Sequence, residues 1–281
     1  MKTTTAIKTA INTYVPTQVG TLALADQGEG VPVVMWPSVF ADHRLFALIV
    51  DQLGEGWRTI RVDGPGFGAS TAPKGDEQTS DYADALIQVL DHLKLHSAVF
   101  VGCSWGGQVT AHVAARHPER TQAALLANTP LGPSLGGHGF QVLGTRLIGS
   151  TAFWGRGVAK SMFSPTTMAR YPERVRPFVD AFSSFDRAAA SLTARSVLTR
   201  SPGLAHVLTR MRPPLTILMG AEDRLYPPEA MRPLAACAPN ARIEIIDECG
   251  HLAPLEAPEQ MASAIRNLVT AGPRDEQGDM P

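Results

Sequence analysis

The feature that most constrains the fold is a glycine-flanked serine between an apolar run and a helical pattern. Ser104 lies in the sequence G-C-S-W-G of residues 102–106, which follows the apolar run 97–101 and precedes a helix-like stretch at 108–116. The flanking glycines permit a tight turn and a close approach of neighbouring backbone, which lifts the serine hydroxyl clear of the strand end. The N-terminus of the next helix directs its amides at the same point and favours negative charge there. A strand, a serine in a sharp turn and a helix are together typical of a nucleophile elbow.

A serine hydroxyl needs a base, and the base needs a group that orients it, before the serine becomes a good nucleophile. Asp223 and His251 each lie in a loop directly after an apolar run with the character of a strand. The order Ser, Asp, His along the chain is the order that a sheet-based hydrolase with such an elbow requires. Glu222 is the alternative acid, and Asp223 is the preferred one. We therefore interpret Ser104 as the nucleophile, His251 as the base and Asp223 as the acid that orients it.

Further motifs occur in a characteristic order along the chain. Residues 63–70 read D-G-P-G-F-G-A-S, residues 220–228 contain the G-A-E-D loop followed by Pro-Pro, and residues 250–259 contain Gly-His, Leu-Glu and Pro-Glu. With the elbow, these motifs resemble the α/β-hydrolase superfamily, in its esterase, lactonase and C–C hydrolase branch with a helical cap. The resemblance covers nearly everything from about Tyr14 to Leu268. It implies an α/β fold with a mostly parallel central sheet, helices on both faces and an inserted helical cap.

The alternation of strand and helix signals also indicates a mostly parallel sheet covered by helices. From about residue 130 to residue 213 the strand signal disappears, and helix-compatible stretches are broken at Gly and Pro, including Gly155, Gly157 and Pro165. In relatives an insertion at this point covers the nucleophile. We predict an α/β-hydrolase core domain of residues 1–129 and 214–281, with a helical cap, or lid, of residues 130–213.

Several individual elements can be predicted. A hairpin is expected at 12–26 with its turn at Gly20, a helix from about 42 to 53, and a strand at 57–62. Apolar residues at helical spacing between Tyr82 and Leu93 predict a helix that Thr79 or Ser80 would cap. The last residues, 272–281, are polar and are expected to be frayed.

The loop after the first parallel strand departs from the common pattern of the superfamily. Most relatives have His-Gly and a bulky residue there, whereas this chain has Pro37, Ser38 and Val39. The resemblance implies that the backbone N–H of Val39 or of Ser38, together with that of Trp105, forms an oxyanion hole. The run is similar to that of 3-oxoadipate enol-lactonase-like hydrolases, which favours lactone or ester substrates. For Ser38 and Val39, the alternative is an ordinary turn at the end of a strand.

The predicted cap is rich in large apolar side chains, most of which we expect to pack the cap onto itself and onto the core. The others would line an apolar pocket, so the expected substrate is a small ester or lactone with a hydrophobic acyl or ring group. Ser38, Phe40 and Trp154 are the candidate substrate-binding residues. The expected chemistry is acyl transfer through an acyl-enzyme, which requires no cofactor and no metal.

Composition limits the partners and the compartment. At 281 residues, one domain with an insertion is the simplest organisation, and the formal net charge of −1 gives no reason to expect nucleic acid or an anionic membrane. No apolar run approaches the ~18 residues of a membrane span, and the N-terminus lacks the apolar stretch of a signal peptide. Three scattered cysteines fit a reducing cytoplasm. A monomer and a homodimer both remain open.

Other functions of the same motifs also remain open. A C–C bond hydrolase of ring-cleavage products has the same Ser-Asp-His set, and some relatives with an intact set serve as ligand receptors or regulators. A cofactor-free haloperoxidase or perhydrolase activity is a side reaction of the same residues. Haloalkane dehalogenases and epoxide hydrolases resemble the chain less, because they have Asp at the position of Ser104. Cys103 and Cys249 flank the predicted site and are either reactive thiols or, as we prefer, small buried hydrophobes.

Overall fold

One eight-stranded sheet lies at the centre of the computed structural model, which describes residues 10–133, 139–148 and 151–270. Its strands, in the spatial order β1-β2-β4-β3-β5-β6-β7-β8, are β1 (Thr13–Thr17), β2 (Gly20–Gln27), β3 (Val31–Trp36), β4 (Trp57–Val62), β5 (Ala98–Cys103), β6 (Thr121–Ala127), β7 (Leu215–Gly220) and β8 (Ala241–Ile246). The pairs β1–β2 and β2–β4 are antiparallel, and all other neighbours are parallel. The predicted α/β-hydrolase fold with a mostly parallel sheet is therefore confirmed.

Helices pack around this sheet. They are α1 (Ala47–Leu53), α2 (Thr79–His92), α3 (Trp105–Arg116), α4 (Gly139–Ile148), α5 (Ala152–Met162), α6 (Pro165–Arg170), α7 (Pro172–Phe182), α8 (Arg187–Thr199), α9 (Ala205–Leu208), α10 (Pro228–Ala235), α11 (Ala253–Glu256) and α12 (Pro258–Thr270). Every residue of β5 is buried, as expected for a parallel strand covered on both faces. Among the described helices, none is long and apolar enough to span a membrane.

Most of the predicted elements of the core are confirmed. The hairpin of β1 and β2 is present, β4 has the predicted bounds, and β7 begins at the predicted Leu215. The turn of the hairpin lies at Gln18 and Val19 and not at the predicted Gly20, which is the first residue of β2 and pairs with Thr17. The predicted N-cap residue of α2, Thr79 or Ser80, was wrong. The helix begins at Thr79, and the preceding Gln78 is its N-cap, because the backbone N–H of Gln78 donates to the carboxylate of Asp81 at 2.7 Å. The predicted frayed tail, 272–281, lies outside the described residues.

The helix predicted from about 42 to 53 consists of two pieces, a short 3-10 helix at His43–Phe46 and then α1. The first piece is held by buried carboxylates. Asp42 accepts the N–H of Arg44 at 3.0 Å, and Asp63 accepts the N–H of His43 at 2.8 Å and contacts its ring Nδ1 at 2.7 Å. The N–H of Leu45 donates to the carbonyl of Asp42 at 2.9 Å, three residues back, so the chain enters α1 through a tighter turn.

The segment between β6 and β7 contains α4 to α9 and, in its described part, no strand. We call α4 to α9 the helical insertion. Pro165 and Pro172 stand at the first turns of α6 and α7, where proline is well tolerated. The predicted breaks at Gly155 and Gly157 were wrong, because α5 runs through both. A Cβ on Gly155 would approach the ring of Phe182 at 3.1 Å, so this glycine permits close packing of α5 on α7. That the insertion is a separate domain stays a prediction.

His112, on α3, makes the stability of the fold depend on pH. Burial and, to a smaller extent, the positive charges of His206, Arg116 and Arg210 lower the pKa of His112 to about 4, whereas the charge of Asp84 opposes this shift. An unfolded histidine titrates near 6.5. Between these values the unfolded chain binds a proton that the folded chain does not bind. The contribution of neutral His112 is therefore present above about pH 6.5 and is lost as the pH falls towards 4.

We predict that His112→Gln reduces the loss of stability between pH 6.5 and 4.5. The expected difference is on the order of 2 kcal/mol in the free energy of unfolding, allowing for the partial exposure of the side chain. Urea unfolding at a series of pH values measures it. The control is His96→Gln, because His96 is exposed and should leave the pH dependence of the wild type unchanged. Parallel profiles for the wild type and His112→Gln would contradict the prediction.

Candidate active site

Ser104 lies in a strained turn between β5 and α3. Its backbone has φ 55° and ψ −115°, a left-handed conformation that non-glycine residues rarely adopt. The turn is possible because two neighbours lack a side chain. A Cβ on Gly102 would collide with the carbonyl of Gly106, and one on Gly106 would collide with the carbonyl oxygen of Trp36. Such strain persists where the surrounding packing maintains it, and it is common at functional sites.

His251 lies between Ser104 and Asp223. Its Nε2 is 2.8 Å from the hydroxyl oxygen of Ser104, and its Nδ1 is 2.8 Å from Oδ2 of Asp223. All three residues are buried, with 4% or less of their surface exposed. The structure therefore brings together the three residues predicted from the sequence, in a geometry suited to proton transfer from a serine to a base.

Asp223 is held in place by donors to both carboxylate oxygens. The N–H groups of Leu225 and Tyr226 donate to Oδ1 at 2.9 and 3.1 Å, and Asn128 donates to Oδ2 at 3.3 Å. Asn128 follows β6 directly and also donates to the carbonyl of Gly250 at 2.8 Å. It thus connects the loop of the acid with the loop of the histidine. Asn128 was not predicted from the sequence, although a polar residue directly after a parallel strand is an available signal.

The alternative acid, Glu222, faces the helical insertion. Its carboxylate accepts the hydroxyl of Thr166 at 2.7 Å and the N–H of the same residue at 3.4 Å. It is Asp223 that contacts His251. The geometry therefore favours Asp223 over Glu222 as the acid that orients His251.

Glu256 anchors the loop that carries His251. It is buried, and its oxygens accept the N–H of Gly250 at 3.0 Å, of Leu252 at 3.0 Å and of Ser164 at 2.8 Å. The first two donors flank His251, and the third belongs to the helical insertion. In the sequence, Glu256 is recognisable only as part of a family motif, which does not predict this function.

The helical insertion also contacts the histidine directly, because the backbone N–H of His251 donates to the carbonyl of Met162 at the end of α5, at 2.7 Å. The ring of Tyr226 also packs near the histidine, with its centroid 5.4 Å from that of His251. Burial, and then the charge of Asp223, raise the pKa of Tyr226 to about 12. Its hydroxyl therefore stays protonated at neutral pH.

Val39 and Trp105, the predicted oxyanion-hole residues, each line a cavity together with Ser104. Val39 lines a narrow cavity together with Ser104 and His251, and Trp105 is the first residue of α3. Within the described part of the chain, neither backbone N–H donates a hydrogen bond, and their function as an oxyanion hole stays a prediction. Phe40, at φ 65°, lines the same narrow cavity.

A larger cavity of about 380 Å³ opens from Ser104 towards α10. Its walls are mostly apolar and include Val197, Leu198, Met231 and Leu234. This is the size and character of a site for a small hydrophobic ligand.

The other predicted substrate-binding residues lie outside these two cavities. Ser38 is completely buried in the turn after β3, where its carbonyl accepts the N–H of Ala41 at 3.2 Å. Trp154 lies in α5 with its indole against Gly144 of α4, where a Cβ would collide with it. Of the three candidate substrate-binding residues, only Phe40 is among the described residues that line the two cavities. Contact of Ser38 and Trp154 with a substrate stays a prediction.

The two cysteines beside the site are buried, which agrees with their preferred interpretation as small hydrophobes. Burial raises the pKa of Cys103 and of Cys249, and the neighbouring carboxylates raise it further. Both thiols therefore stay protonated and poorly nucleophilic at neutral pH.

Among the described residues, Asp42, His43 and Asp63 have ligand atoms within 4.8 Å of one another, a spacing that could hold a metal ion. These atoms already have partners. Arg44 donates to both oxygens of Asp42, and Asp63 accepts from His43 and from the N–H of Ala69. The cluster serves as a hydrogen-bonded brace for the loop after β3.

The fold and the arrangement of Ser104, His251 and Asp223 are of the kind found in serine hydrolases built on a parallel sheet. A family model described as alpha/beta hydrolase fold matches residues 31–258. Because this match spans most of the chain, the protein belongs to the α/β-hydrolase fold family.

Individual relatives cover nearly the whole chain. The 2-hydroxymuconate semialdehyde hydrolase of Pseudomonas sp. (strain CF600) is 26% identical over 261 residues, which are 88% of this chain and 89% of that protein. A thermophilic esterase from Thermogutta terrifontis has a TM-score of 0.84 at 25% identity, covering 93% of this chain and 99% of its own. The enol-lactonase from Burkholderia xenovorans LB400 has a TM-score of 0.84 at 23% identity, covering 92% and 100%, and shares the fold.

We predict that Glu256→Gln destabilises the protein by about 2–3 kcal/mol, because an amide cannot accept all three backbone N–H groups and leaves buried donors without partners. Urea unfolding measures this change. Glu259→Gln is the matched control, because Glu259 lies in the first turn of α12 with an exposed carboxylate. Its expected effect is within about 0.5 kcal/mol. Equal effects of the two variants would contradict the role of Glu256 as the anchor of the histidine loop.

Proposed function

We propose that the protein is a serine hydrolase that cleaves a carboxylic ester or lactone with a hydrophobic acyl or ring group. The observation that carries the proposal is the hydrogen-bonded series Ser104–His251–Asp223, with 2.8 Å at both contacts, in a buried turn at the mouth of an apolar cavity. The helical insertion, which contacts His251 through Met162, serves as the cap.

In the proposed mechanism, Ser104 attacks the carbonyl carbon while Nε2 of His251 takes its proton. Asp223 orients the imidazole and stabilises its cationic form. The backbone N–H groups of Val39 and Trp105 bind the oxyanion, and one such donor typically lowers the barrier by about 2.7–4 kcal/mol. His251 then protonates the leaving alcohol, and later takes a proton from the water that releases the acid and frees Ser104.

Two features support an ester or lactone with an apolar group. The walls of the cavity beside Ser104 carry few polar atoms, so a sugar or a phosphate ester would lose hydrogen bonds to water there. A relative at 25% identity is an esterase, and the loop at residues 37–39 resembles that of enol-lactonase-like hydrolases.

The experiment that tests the proposal is hydrolysis of aryl esters and small lactones by the wild type and Ser104→Ala. We expect turnover by the wild type, and a loss of about 10³-fold or more in the variant, with unchanged circular dichroism. The order of the hydrolysis rates across the panel indicates the size of the group that the cavity accepts. No turnover of any member by the wild type would overturn the proposal, and a C–C bond hydrolase or a ligand receptor would then be the better hypothesis.

A second test separates the two adjacent acids. We predict that Asp223→Asn lowers kcat/KM by about 10³–10⁴-fold, because the amide favours the wrong tautomer of His251. Glu222→Gln changes the neighbouring residue in the same way, but among the described residues the carboxylate of Glu222 hydrogen-bonds to Thr166 and not to His251, so its expected effect is less than about tenfold. A large loss in Glu222→Gln with an active Asp223→Asn would contradict the assignment of the acid.

A further inference from the structure

The two cavities that border Ser104 differ greatly in volume. The larger cavity measures about 380 Å³, whereas the narrow cavity measures about 20 Å³. A site for a whole small ligand has roughly 300–1,000 Å³, and a single water molecule needs about 10–15 Å³. The larger cavity can therefore hold an apolar chain or ring, while the narrow cavity has room only for a group of about one or two water molecules in size.

His251 determines which part of an ester each cavity can hold. Among the described residues that line the cavities, His251 borders the narrow cavity and not the larger one. The histidine that takes the proton of Ser104 must then donate it to the oxygen of the leaving alcohol, so this oxygen has to lie beside Nε2. The leaving alcohol therefore belongs in the narrow cavity, and the acyl group belongs in the larger cavity.

Most of the wall of the narrow cavity is formed by buried side chains. Besides Ser104 and His251, four of its lining residues have 4% or less of their surface exposed: Val39, Phe40, Val158 and Met162. Its partly buried lining residues, such as Leu198, also border the larger cavity. A bulky alcohol group would therefore have to displace buried side chains, or compete with the acyl group for the larger cavity.

We propose that the narrow cavity restricts the leaving group to a small alcohol, so that the substrate is an ester of methanol or ethanol with a larger apolar acyl group. Val158, on α5, is the residue that determines this specificity, because it borders the narrow cavity and is not among the described residues of the larger one. This inference deepens the proposed function and rests on it, because it states which esters the site cleaves.

The narrow cavity also has the size that the second half of the reaction requires. After the alcohol has left, one water molecule fits the same space beside His251. His251 takes a proton from this water while the water oxygen bonds to the acyl carbon, and the proton passes to Ser104 as the bond between the serine oxygen and the acyl carbon breaks.

The first test compares kcat/KM of the wild type for methyl hexanoate, benzyl hexanoate and methyl acetate, measured as release of acid at constant pH. Methanol and benzyl alcohol have nearly the same acidity, so the two hexanoates differ mainly in the size of the leaving group. We expect kcat/KM for methyl hexanoate to exceed each of the other two values at least about tenfold. Equal values within either pair, or hydrolysis of neither hexanoate, would overturn the proposal.

Two matched variants assign the restriction to the narrow cavity. Val158→Ala enlarges the narrow cavity, and Val197→Ala makes the same change in the wall of the larger cavity. We expect Val158→Ala to lower the ratio of kcat/KM for methyl over benzyl hexanoate at least about fivefold, and Val197→Ala to change this ratio less than about twofold. An unchanged ratio in Val158→Ala, or an equal fall in both variants, would contradict the role of Val158. Circular dichroism shows whether each variant is folded, and the comparison of esters by the wild type depends on neither variant.

Hydrolysis of 4-nitrophenyl acetate tests the proposed function separately. A nitrophenol is acidic enough to leave as its anion, without a proton from His251, so its ring need not lie beside Nε2. Such an ester can bind with its acetyl group in the narrow cavity and its ring in the larger one. Turnover of this ester, lost in Ser104→Ala, would support the proposed function even where equal values for methyl and benzyl hexanoate overturn the restriction on the alcohol.

Discussion

The site depends on the backbone of Ser104, which is held in a conformation that a side chain normally prevents. The turn is maintained because Gly102 and Gly106 allow the end of β5, the start of α3 and the end of β3 to pack closer than any Cβ would permit. This close packing directs the hydroxyl towards His251 and leaves the N–H of Trp105 without a partner inside the helix. The cost of the strain is therefore offset by packing in the centre of the sheet.

Two buried carboxylates, those of Asp63 and Glu256, join the loops around that turn by accepting hydrogen bonds from backbone N–H groups. Asp63 accepts the N–H groups of His43 and Ala69, and Glu256 accepts those beside His251 and that of Ser164. A carboxylate can accept several hydrogen bonds at once, and backbone donors in a buried loop need such partners. Each carboxylate thus connects segments that are distant in sequence, and Glu256 connects the histidine loop with the helical insertion.

Much of the core and of the site could be predicted because their signals are local. The alternation of apolar runs and helical patterns predicted β4 and the start of β7, and the loops after the strands contained Ser104, Asp223 and His251 in the required order. The break predicted at Gly155 failed because it depended on packing between distant segments: α5 continues through Gly155, and Phe182 fills the space beside it. Contact of Trp154 with a substrate stays a prediction, and its indole packs against Gly144 of the insertion, outside both cavities beside Ser104.

By itself, the sequence determined the fold class, the sharp turn at Ser104 and the candidate nucleophile, base and acid, since each follows from residue type and local order. Only the tertiary structure decided which polar atoms have partners. It placed Glu222 against Thr166 and Asn128 between two loops. Hydrogen bonding of a side chain depends on groups that approach through space, and a pattern along the chain does not record those distances.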